Sequence, residues 1–231
     1  MNSLPDGYSA LIFGDTGALG QAFVHALRSD ARCASVTGFS RSGTPGLVLE
    51  DSQSLQACAD SVANDAPFHL VIDATGALII DDIGPEKRLD DLDARHLQRA
   101  MQVNAIGPTM LLTYFSPLLA TDDRVIWAKL SARVGSIEDN RKGGWYGYRA
   151  SKAALNMFLQ TSAIEIARRR PKAVIAALQP GTVRSRLSRP FIGDEGDDPE
   201  VAARRLLQVI DHLQPTGRAH FVDHAGQIIP W

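Results

Sequence analysis

The feature that most constrains the fold is a short apolar run that passes through a glycine-rich turn directly into an amphipathic helical pattern. The run is Tyr8–Phe13, the turn is residues 14–20 (GDTGALG), and the helical pattern covers residues 21–27. Glycines suit this turn because the chain bends sharply there and because side chains would keep a pyrophosphate away from the amides at the helix start. The position of the turn, after the first strand and before the first helix, strengthens the prediction of a dinucleotide site.

Apolar runs and helical patterns continue to alternate along the chain. Further strands are predicted at residues 35–39, 47–49, 68–74, 125–130, 173–178 and 219–223. Helices are predicted at residues 52–63, with Asp51 as N-cap, and at 90–120, 146–169 and 200–213. This rhythm indicates a parallel sheet with helices on both faces. We therefore expect one doubly wound α/β domain over residues 1–231, a Rossmann fold of about seven strands.

The polar segment at residues 184–199 has no periodicity. It predicts a short substrate lid, with a solvated loop as the alternative.

Composition excludes several classes of protein. With 231 residues, 45% of them hydrophobic and 22% charged, the chain can bury one sizeable core, and its net charge of −2 offers no basic surface for nucleic acid. No apolar window is long enough to span a membrane, and residues 1–7 lack the pattern of a signal peptide, so we expect a cytoplasmic protein. Cys33 and Cys58 lack metal-ligand spacing and are expected to be free thiols, and no metal site is predicted.

A tyrosine and a lysine four residues apart are the central candidates for chemistry. Tyr148 and Lys152 lie near the start of the long helical pattern, so they share one face about one turn apart. A free tyrosine titrates near pH ~10, and a fixed ammonium beside it favours the phenolate and lowers its pKa. Such a pair can serve as general acid and base. The competing interpretation is an ordinary contact between an aromatic ring and a lysine stem.

The second predicted strand ends at Ser40 and Arg41, where a dinucleotide fold selects the ribose of its cofactor. Arg41 can pair with the 2′-phosphate of NADP, whereas an acidic residue would bond the 2′-hydroxyl of NAD. NADP(H) is therefore favoured over NAD(H). A surface loop charge is the alternative interpretation of Arg41.

Asn104 lies inside the predicted helix at residues 90–120, just before an interruption at Gly107 and Pro108. Asparagine is locally unfavourable inside a helix. An ordinary surface asparagine and one placed to bend the helix and bind water are equal alternatives on the residues alone.

Four features occur in a set order along the chain: the glycine turn, Asn104, the pair of Tyr148 and Lys152, and the turn at Pro180 and Gly181. In order and spacing they resemble the short-chain dehydrogenase/reductase family over nearly the full chain. Residues 131–137 (SARVGSI), 143–152 (GGWYGYRASK) and 228–231 (IIPW) are similar to its C-factor and sniffer-like carbonyl reductase branch.

The resemblance implies a role for each matching residue. Tyr148 would donate the proton to the substrate carbonyl, Lys152 would lower the Tyr148 pKa and hold the nicotinamide ribose, and Asn104 would anchor a water that relays protons to Lys152. The implied cofactor-binding residues are Gly14, Thr16, Gly17, Ala18, Leu19, Ser40, Arg41, Ala74, Thr75, Gly76, Asn104, Tyr148, Lys152, Pro180, Gly181 and Val183.

The chain departs from the family pattern at positions that bear on this site. Phe13 and Ala18 replace a threonine and a glycine of the usual turn, residues 73–76 (DATG) replace Asn-Asn-Ala-Gly, and Val48 aligns with the adenine-contacting aspartate. The changes at residues 73–76 and at Val48 are expected to weaken adenine binding, whereas Gly17 beside Ala18 can supply the flexibility that the turn has lost.

The family's catalytic serine aligns by register with Ala132. Ser131 can still orient the carbonyl if the backbone turns at the strand end, with Ser136 as a second candidate and no serine as the third alternative.

The function indicated is NADP(H)-dependent interconversion of a ketone or aldehyde and an alcohol by hydride transfer, with Tyr148 as general acid and base. The implied partner is an apolar small molecule, with no nucleic acid or membrane, and a homo-oligomer is compatible with the sequence. Trp145, Leu187, Phe191 and Ile192 are candidate walls of the substrate pocket, or else pack beneath the lid. The alternative function, motivated by Ala132, is a dinucleotide-binding sensor or signalling protein with little turnover.

Overall fold

The computed structural model describes residues 1–193 and 195–231, apart from the Ile192 side chain. In this part of the chain one sheet contains six strands: β1 (Tyr8–Phe13), β2 (Cys33–Phe39), β3 (Leu70–Asp73), β4 (Val125–Leu130), β5 (Ala173–Gln179) and β6 (Ala219–Asp223). Their order is β2-β1-β3-β4-β5-β6, and all neighbouring pairs are parallel. The chain changes direction across the sheet between β1 and β3, where folds of this kind open a crevice for a ligand.

Helices cover both faces of the sheet, which confirms the predicted doubly wound α/β architecture. They are α1 (Ala18–Arg28), α2 (Ser52–Ser61), α3 (Ala94–Met101), α4 (Gly107–Phe115), α5 (Tyr146–Ala167), α6 (Arg189–Ile192) and α7 (Pro199–His212). Alternate residues of a strand point to opposite faces. Leu11 and Phe13 of β1 accordingly pack with residues of α2, α4 and α5, while Ala10 and Ile12 pack with residues of α1 and α7.

The helical region around Asn104 is interrupted, as predicted. A π-helical turn, Gln102–Ile106, separates α3 from α4. Pro108 has no N–H to offer the carbonyl of Asn104 four residues earlier, so the regular α-helical bonding fails at this point. The first helix of the region begins later than predicted, at Ala94, where the Asp93 side chain accepts a hydrogen bond from the His96 amide.

The predicted strand at residues 47–49 is wrong. The Leu47 amide donates to the carbonyl oxygen of Ser40, and the Val48 amide donates to the Ser54 hydroxyl at the start of α2. Because these backbone groups are bonded within the loop, they are not available for a sheet ladder. The sheet therefore has six strands in the described ranges rather than about seven.

Cys33 and Cys58 are free, as predicted. Within residues 1–193 and 195–231, none of the helices combines the length and the apolar character needed to cross a membrane.

Candidate active site

Tyr148 and Lys152 lie one turn apart on α5, where the helix meets the carboxyl end of the sheet. Lys152 is buried, and its Nζ atom lies 5.6 Å from the centroid of the Tyr148 ring. The same Nζ atom donates a hydrogen bond of 3.2 Å to the carbonyl oxygen of Leu130, the last residue of β4. Lys152 therefore joins α5 to the carboxyl end of β4, and Tyr148 is half-buried beside it.

Burial shifts the pKa values of both groups in directions that the sequence did not predict. Desolvation raises the pKa of Tyr148 to about 12. Burial and, after it, the like charge of Lys129 lower the pKa of Lys152 to about 7, while Asp73 acts in the opposite direction. The predicted lowering of the Tyr148 pKa is therefore wrong for the protein alone, because burial of the phenol itself disfavours the phenolate.

A buried ion pair lies beside this site at the ends of β3 and β4. Asp73 and Lys129 are in register on the two strands, and their side chains are 0% and 1% exposed. Lys129 Nζ donates to Asp73 Oδ1 at 2.9 Å, to the Thr75 carbonyl oxygen at 2.6 Å and to the Thr75 hydroxyl at 3.0 Å. Sequence reasoning missed this pair, although a charged residue near the end of each of two apolar runs was a signal for it.

Asn104 anchors the loop that follows β3. Its side-chain oxygen accepts from the Ala77 amide at 2.8 Å, and its side-chain nitrogen donates to the Ala77 carbonyl oxygen at 2.8 Å. A Cβ atom on Gly76 would lie 3.2 Å from Asn104 Oδ1 and 3.4 Å from Lys152 Nζ. Asn104 is therefore an interior residue next to Lys152, and the interpretation as an ordinary surface residue is wrong.

The glycine turn between β1 and α1 forms a cradle that side chains would fill. A Cβ atom on Gly14, which has a φ of +82°, would lie 3.2 Å from the backbone of Ala74 and of Thr75. Gly17 at the N-cap has no side chain to accept from the first amides of α1, so these amides face the cradle without a cap. A helix start of this kind binds anions, and the cradle fits the pyrophosphate of a dinucleotide. The predicted binding residues Gly14, Thr16, Gly17, Ala18 and Leu19 lie in it, with Ala74, Thr75 and Gly76 opposite.

Ser40 and Arg41 follow β2, where the sequence predicts the ribose to bind. Ser40 is buried, and its carbonyl oxygen accepts from the amides of Gly43 and Leu47, which fixes the loop. Arg41 is exposed on this loop. Sequence reasoning missed Asp15, whose carboxylate packs so closely against Gly38 that a Cβ atom there would collide with it. The Asp15 carboxylate therefore lies beside the end of β2, at Gly38, which is three residues before Arg41.

The two candidate serines are already bonded within the protein. The Ser131 hydroxyl donates to Asn156 Oδ1 at 2.7 Å, and Asn156 lies on α5 one turn beyond Lys152. The Ser136 hydroxyl accepts from the Asp139 amide at 3.0 Å and lies 3.5 Å from the Trp231 carbonyl oxygen. Ala132, the residue aligned with the catalytic serine, has no polar side-chain atom to offer.

The turn after β5 places Pro180, Gly181 and Val183 at the carboxyl end of the sheet, the same end as Tyr148 and Lys152. Gly181 has a φ of +81°, and a Cβ atom on it would lie 3.1 Å from His224 Nδ1. That nitrogen is buried without a hydrogen-bond partner among the described residues. The turn is therefore packed against the end of β6, with Val183 buried behind it.

The predicted lid contains the short helix α6, which the sequence did not predict. The two ends of the segment are tied together, since the Arg184 amide donates to the Asp197 carbonyl oxygen at 3.0 Å and the Arg184 guanidinium pairs with Asp198 at 3.0 Å. Leu187 and Phe191 of this segment are 40% and 41% exposed.

Of the four predicted pocket residues, two are in contact with each other near Tyr148. Trp145 packs edge to face against Phe191 of the lid, with ring centroids 5.3 Å apart, and against Tyr148 at 6.1 Å. The predicted role of the Ile192 side chain lies outside the described residues.

The chain is similar to known proteins in sequence and in fold. A family model described as short chain dehydrogenase matches residues 42–195. The chain is 30% identical to 1-hydroxy-2-glutathionyl-2-methyl-3-butene dehydrogenase of Rhodococcus sp. (strain AD45) over 193 residues, 81% of this chain and 79% of that protein. It is 33% identical to the C-signal protein of Myxococcus xanthus over 144 residues, 62% and 83% of the two chains. The carbonyl reductase Sniffer of D. melanogaster shares the fold, with a TM-score of 0.80 and 22% identity over 96% of this chain and 99% of that one.

Proposed function

This chain belongs to the short-chain dehydrogenase family, an NAD(P)-dependent class of oxidoreductases, and on that premise we propose that it interconverts a ketone or aldehyde and an alcohol with NADP(H). The observation that carries the proposal is the stacking of Tyr148 and Lys152 on α5, beside the cradle that fits a pyrophosphate. In this proposal Tyr148 is the general acid and base, and residues 184–199 form the substrate lid of one catalytic domain spanning residues 1–231.

The chain's own residues provide binding, orientation and proton transfer. Thr16 and the glycine turn would hold the pyrophosphate, Arg41 the 2′-phosphate, and the segments at residues 74–76 and 180–183 the remainder of the cofactor. When bound, the nicotinamide supplies or accepts the hydride. The high pKa of Tyr148 keeps its proton in place until a carbonyl oxygen develops negative charge next to it.

Lys152 and Asn104 would complete the proton path. Because the pKa of Lys152 is about 7, this side chain can gain or lose a proton near neutral pH and so exchange protons with Tyr148. Asn104 fixes the loop at Gly76 and Ala77 against Lys152, and we propose that it also anchors the water that connects Lys152 to solvent. Ser131 can orient the carbonyl only if its hydroxyl leaves Asn156.

The two free thiols agree with a reducing compartment, and we propose that the protein acts in the cytoplasm on a small apolar substrate. The second candidate function is a nucleotide-binding signalling protein with little turnover. Two observations favour it: the bonding of Ser131 to Asn156 beside Ala132, and the likeness to a protein named C-signal.

One assay separates the two functions. NADPH oxidation is followed with a panel of activated ketones and aldehydes, and NADPH binding is measured by fluorescence on the same preparation. Turnover of at least one carbonyl compound supports the oxidoreductase. Tight binding of NADPH without turnover of any compound would favour the signalling protein.

A further inference from the structure

Trp145 has a backbone conformation that bulky residues rarely adopt. Its φ of 53° and ψ of 46° lie in the left-handed region, directly after Gly143 and Gly144 with φ values of 63° and 64°. Glycine enters this region freely, whereas a side chain with a Cβ atom meets the backbone there. Residues held in such a conformation cluster at functional sites, where the surrounding structure maintains them.

The structure around Trp145 holds this conformation through hydrogen bonds from one side chain. The Arg149 guanidinium donates to the carbonyl oxygens of Gly144 at 2.9 Å, Gly143 at 3.1 Å and Val134 at 3.4 Å. The Trp145 amide in turn donates to the carbonyl oxygen of Glu86. The planar, five-donor guanidinium can bind three separate acceptors at once, which a lysine ammonium on a flexible stem does less well.

The indole so positioned contacts both the candidate proton donor and the lid. Its interplanar angle is 74° with the Tyr148 ring and 62° with the Phe191 ring, so both contacts are edge to face. Phe191 is still 41% exposed, and Trp145 is only partly buried. A further flat ring beside the Tyr148 hydroxyl would complete the same kind of contact, whereas a saturated ring of equal size would bury area without matching the aromatic quadrupoles.

We propose that Trp145, held in place by Arg149, selects substrates in which the carbonyl group carries an aromatic ring. This inference rests on the proposed function and specifies its substrate class. Trp145 is the specificity-determining residue, and Arg149 is a positioning residue that acts through it.

The test compares two ketones with the same carbon skeleton, 2-acetylnaphthalene and its fully saturated decalin counterpart. Their intrinsic reactivities differ, so the informative quantity is the ratio of their kcat/KM values in each variant divided by the same ratio in the wild type. Trp145→Leu should lower the aromatic preference by about fivefold or more, since each aromatic contact beyond buried area is worth roughly two- to tenfold. Trp145→Phe should retain most of it.

Arg149→Met should lower the same ratio because the loop that carries Trp145 loses three hydrogen bonds. Arg141→Met is the matched control, because it makes the same substitution at an exposed arginine in the loop that carries Trp145, and it should leave the ratio unchanged. A purely structural role for Arg149 would reduce turnover of both ketones alike and leave the ratio unchanged.

A binding measurement decides the question independently of turnover. Calorimetry with 2-naphthol and decahydro-2-naphthol, with and without NADP⁺, should show tighter aromatic binding in the wild type that is lost in Trp145→Leu. If Trp145→Leu leaves both the kinetic ratio and the naphthol preference unchanged, the inference is overturned. If no ketone is turned over at all, the proposed function fails while the naphthol measurement still decides the role of Trp145.

Discussion

At the scale of single residues, the assignment of Tyr148 is the most direct to test, because one atom carries the proposed chemistry. Tyr148→Phe removes the transferable proton and keeps the ring that packs against Trp145 and Lys152. We expect turnover to fall by about 10²–10⁴-fold, the usual contribution of a positioned acid, while NADPH affinity stays within a few-fold. Steady-state kinetics and fluorescence titration measure the two quantities. Tyr146→Phe, two residues away on another helix face, is the control, and the assignment is wrong if that variant is the inactive one.

Cofactor preference is expected to depend on Arg41. Its guanidinium can meet a 2′-phosphate in a bidentate geometry, and a charge-assisted hydrogen bond contributes about 1.5–3 kcal/mol, or roughly ten- to a hundredfold in affinity. Arg41→Ala should weaken NADPH much more than NADH, and Arg41→Asp should reverse the order. The preference should shrink as salt rises, because Arg41 is exposed.

Asp15 allows a second test of cofactor preference, because its carboxylate lies beside the end of β2, which leads to Arg41. Since its carboxylate packs against Gly38 at the end of β2, Asp15→Asn should shift the preference further toward NADPH. Equal affinity of the wild type for NADH and NADPH at low salt would reduce Arg41 to a loop charge and leave the assignment of Tyr148 untouched.

The question of the missing serine is settled by two variants. If the Ser131 hydroxyl leaves Asn156 to bond the carbonyl in the transition state, Ser131→Ala should lower kcat/KM by roughly tenfold or more. Ala132→Ser should raise kcat/KM or leave it unchanged, since it restores a hydroxyl at the aligned position. Activity of Ser131→Ala equal to that of the wild type removes Ser131 from the mechanism and leaves its bond to Asn156 as a structural one.

At the scale of elements, the start of α5 depends on backbone freedom just before it. Because the backbone of Trp145 has the left-handed conformation, which glycine adopts without strain, the Trp145→Gly variant should be more stable to urea than the Trp145→Ala variant by about 1 kcal/mol. Met157 gives the opposite control, since it is 65% exposed in the middle of α5 and its glycine variant should be less stable than its alanine variant by about 1 kcal/mol. The same sign at both positions would contradict the left-handed assignment.

How far the sequence predicts these elements depends on where their hydrogen bonds go. Besides β1, five short runs form strands that begin or end close to their predicted bounds, and each pairs along the sheet with a neighbouring strand. Residues 47–49 looked the same in the sequence, but their amides bond Ser40 and Ser54 in a loop whose path a local pattern does not reveal. The break at Asn104 was predictable because Pro108 enforces it locally.

In the site, too, the sequence predicts what is local to one element and misses what depends on contacts between elements. The spacing of Tyr148 and Lys152 is a local property of one helix, so the sequence predicted their proximity. Burial alone raises the pKa of Tyr148, whereas burial and then the charge of Lys129 on β4 lower the pKa of Lys152, against the opposite effect of Asp73 on β3. Only the folded chain brings these groups together. Asp73 and Lys129 are 56 residues apart, and no sequence period connects them.

At the scale of the whole molecule, the buried lysine makes stability depend on pH. The pKa of Lys152 is lowered from 10.5 to about 7, so between these values the unfolded chain holds a proton that the folded chain has lost. The unfolded state then binds more protons, and stability rises with pH through this window. The free-energy cost of the buried charge is fully present below pH 7 and falls progressively between pH 7 and pH 10.5.

We therefore expect the urea midpoint of the wild type to increase from pH 7 to pH 8, below the pKa of about 8.5 at which a free cysteine titrates and well below that of tyrosine. Lys152→Met removes the titrating group, and its midpoint should increase less over the same interval. Chemical denaturation followed by circular dichroism at both pH values provides the measurement. Parallel curves for the two proteins would show that Lys152 does not titrate in this window.

The buried pair of Asp73 and Lys129 also constrains how this protein can change over evolutionary time. Replacing either residue alone leaves an uncompensated charge in the interior, whereas replacing both by neutral or apolar residues can be close to neutral for stability. A lineage therefore crosses between the charged and the uncharged form only through an unstable intermediate or a double change. Across the relatives of this chain, the two positions should be inherited as a unit, charged together or uncharged together, although 56 residues separate them.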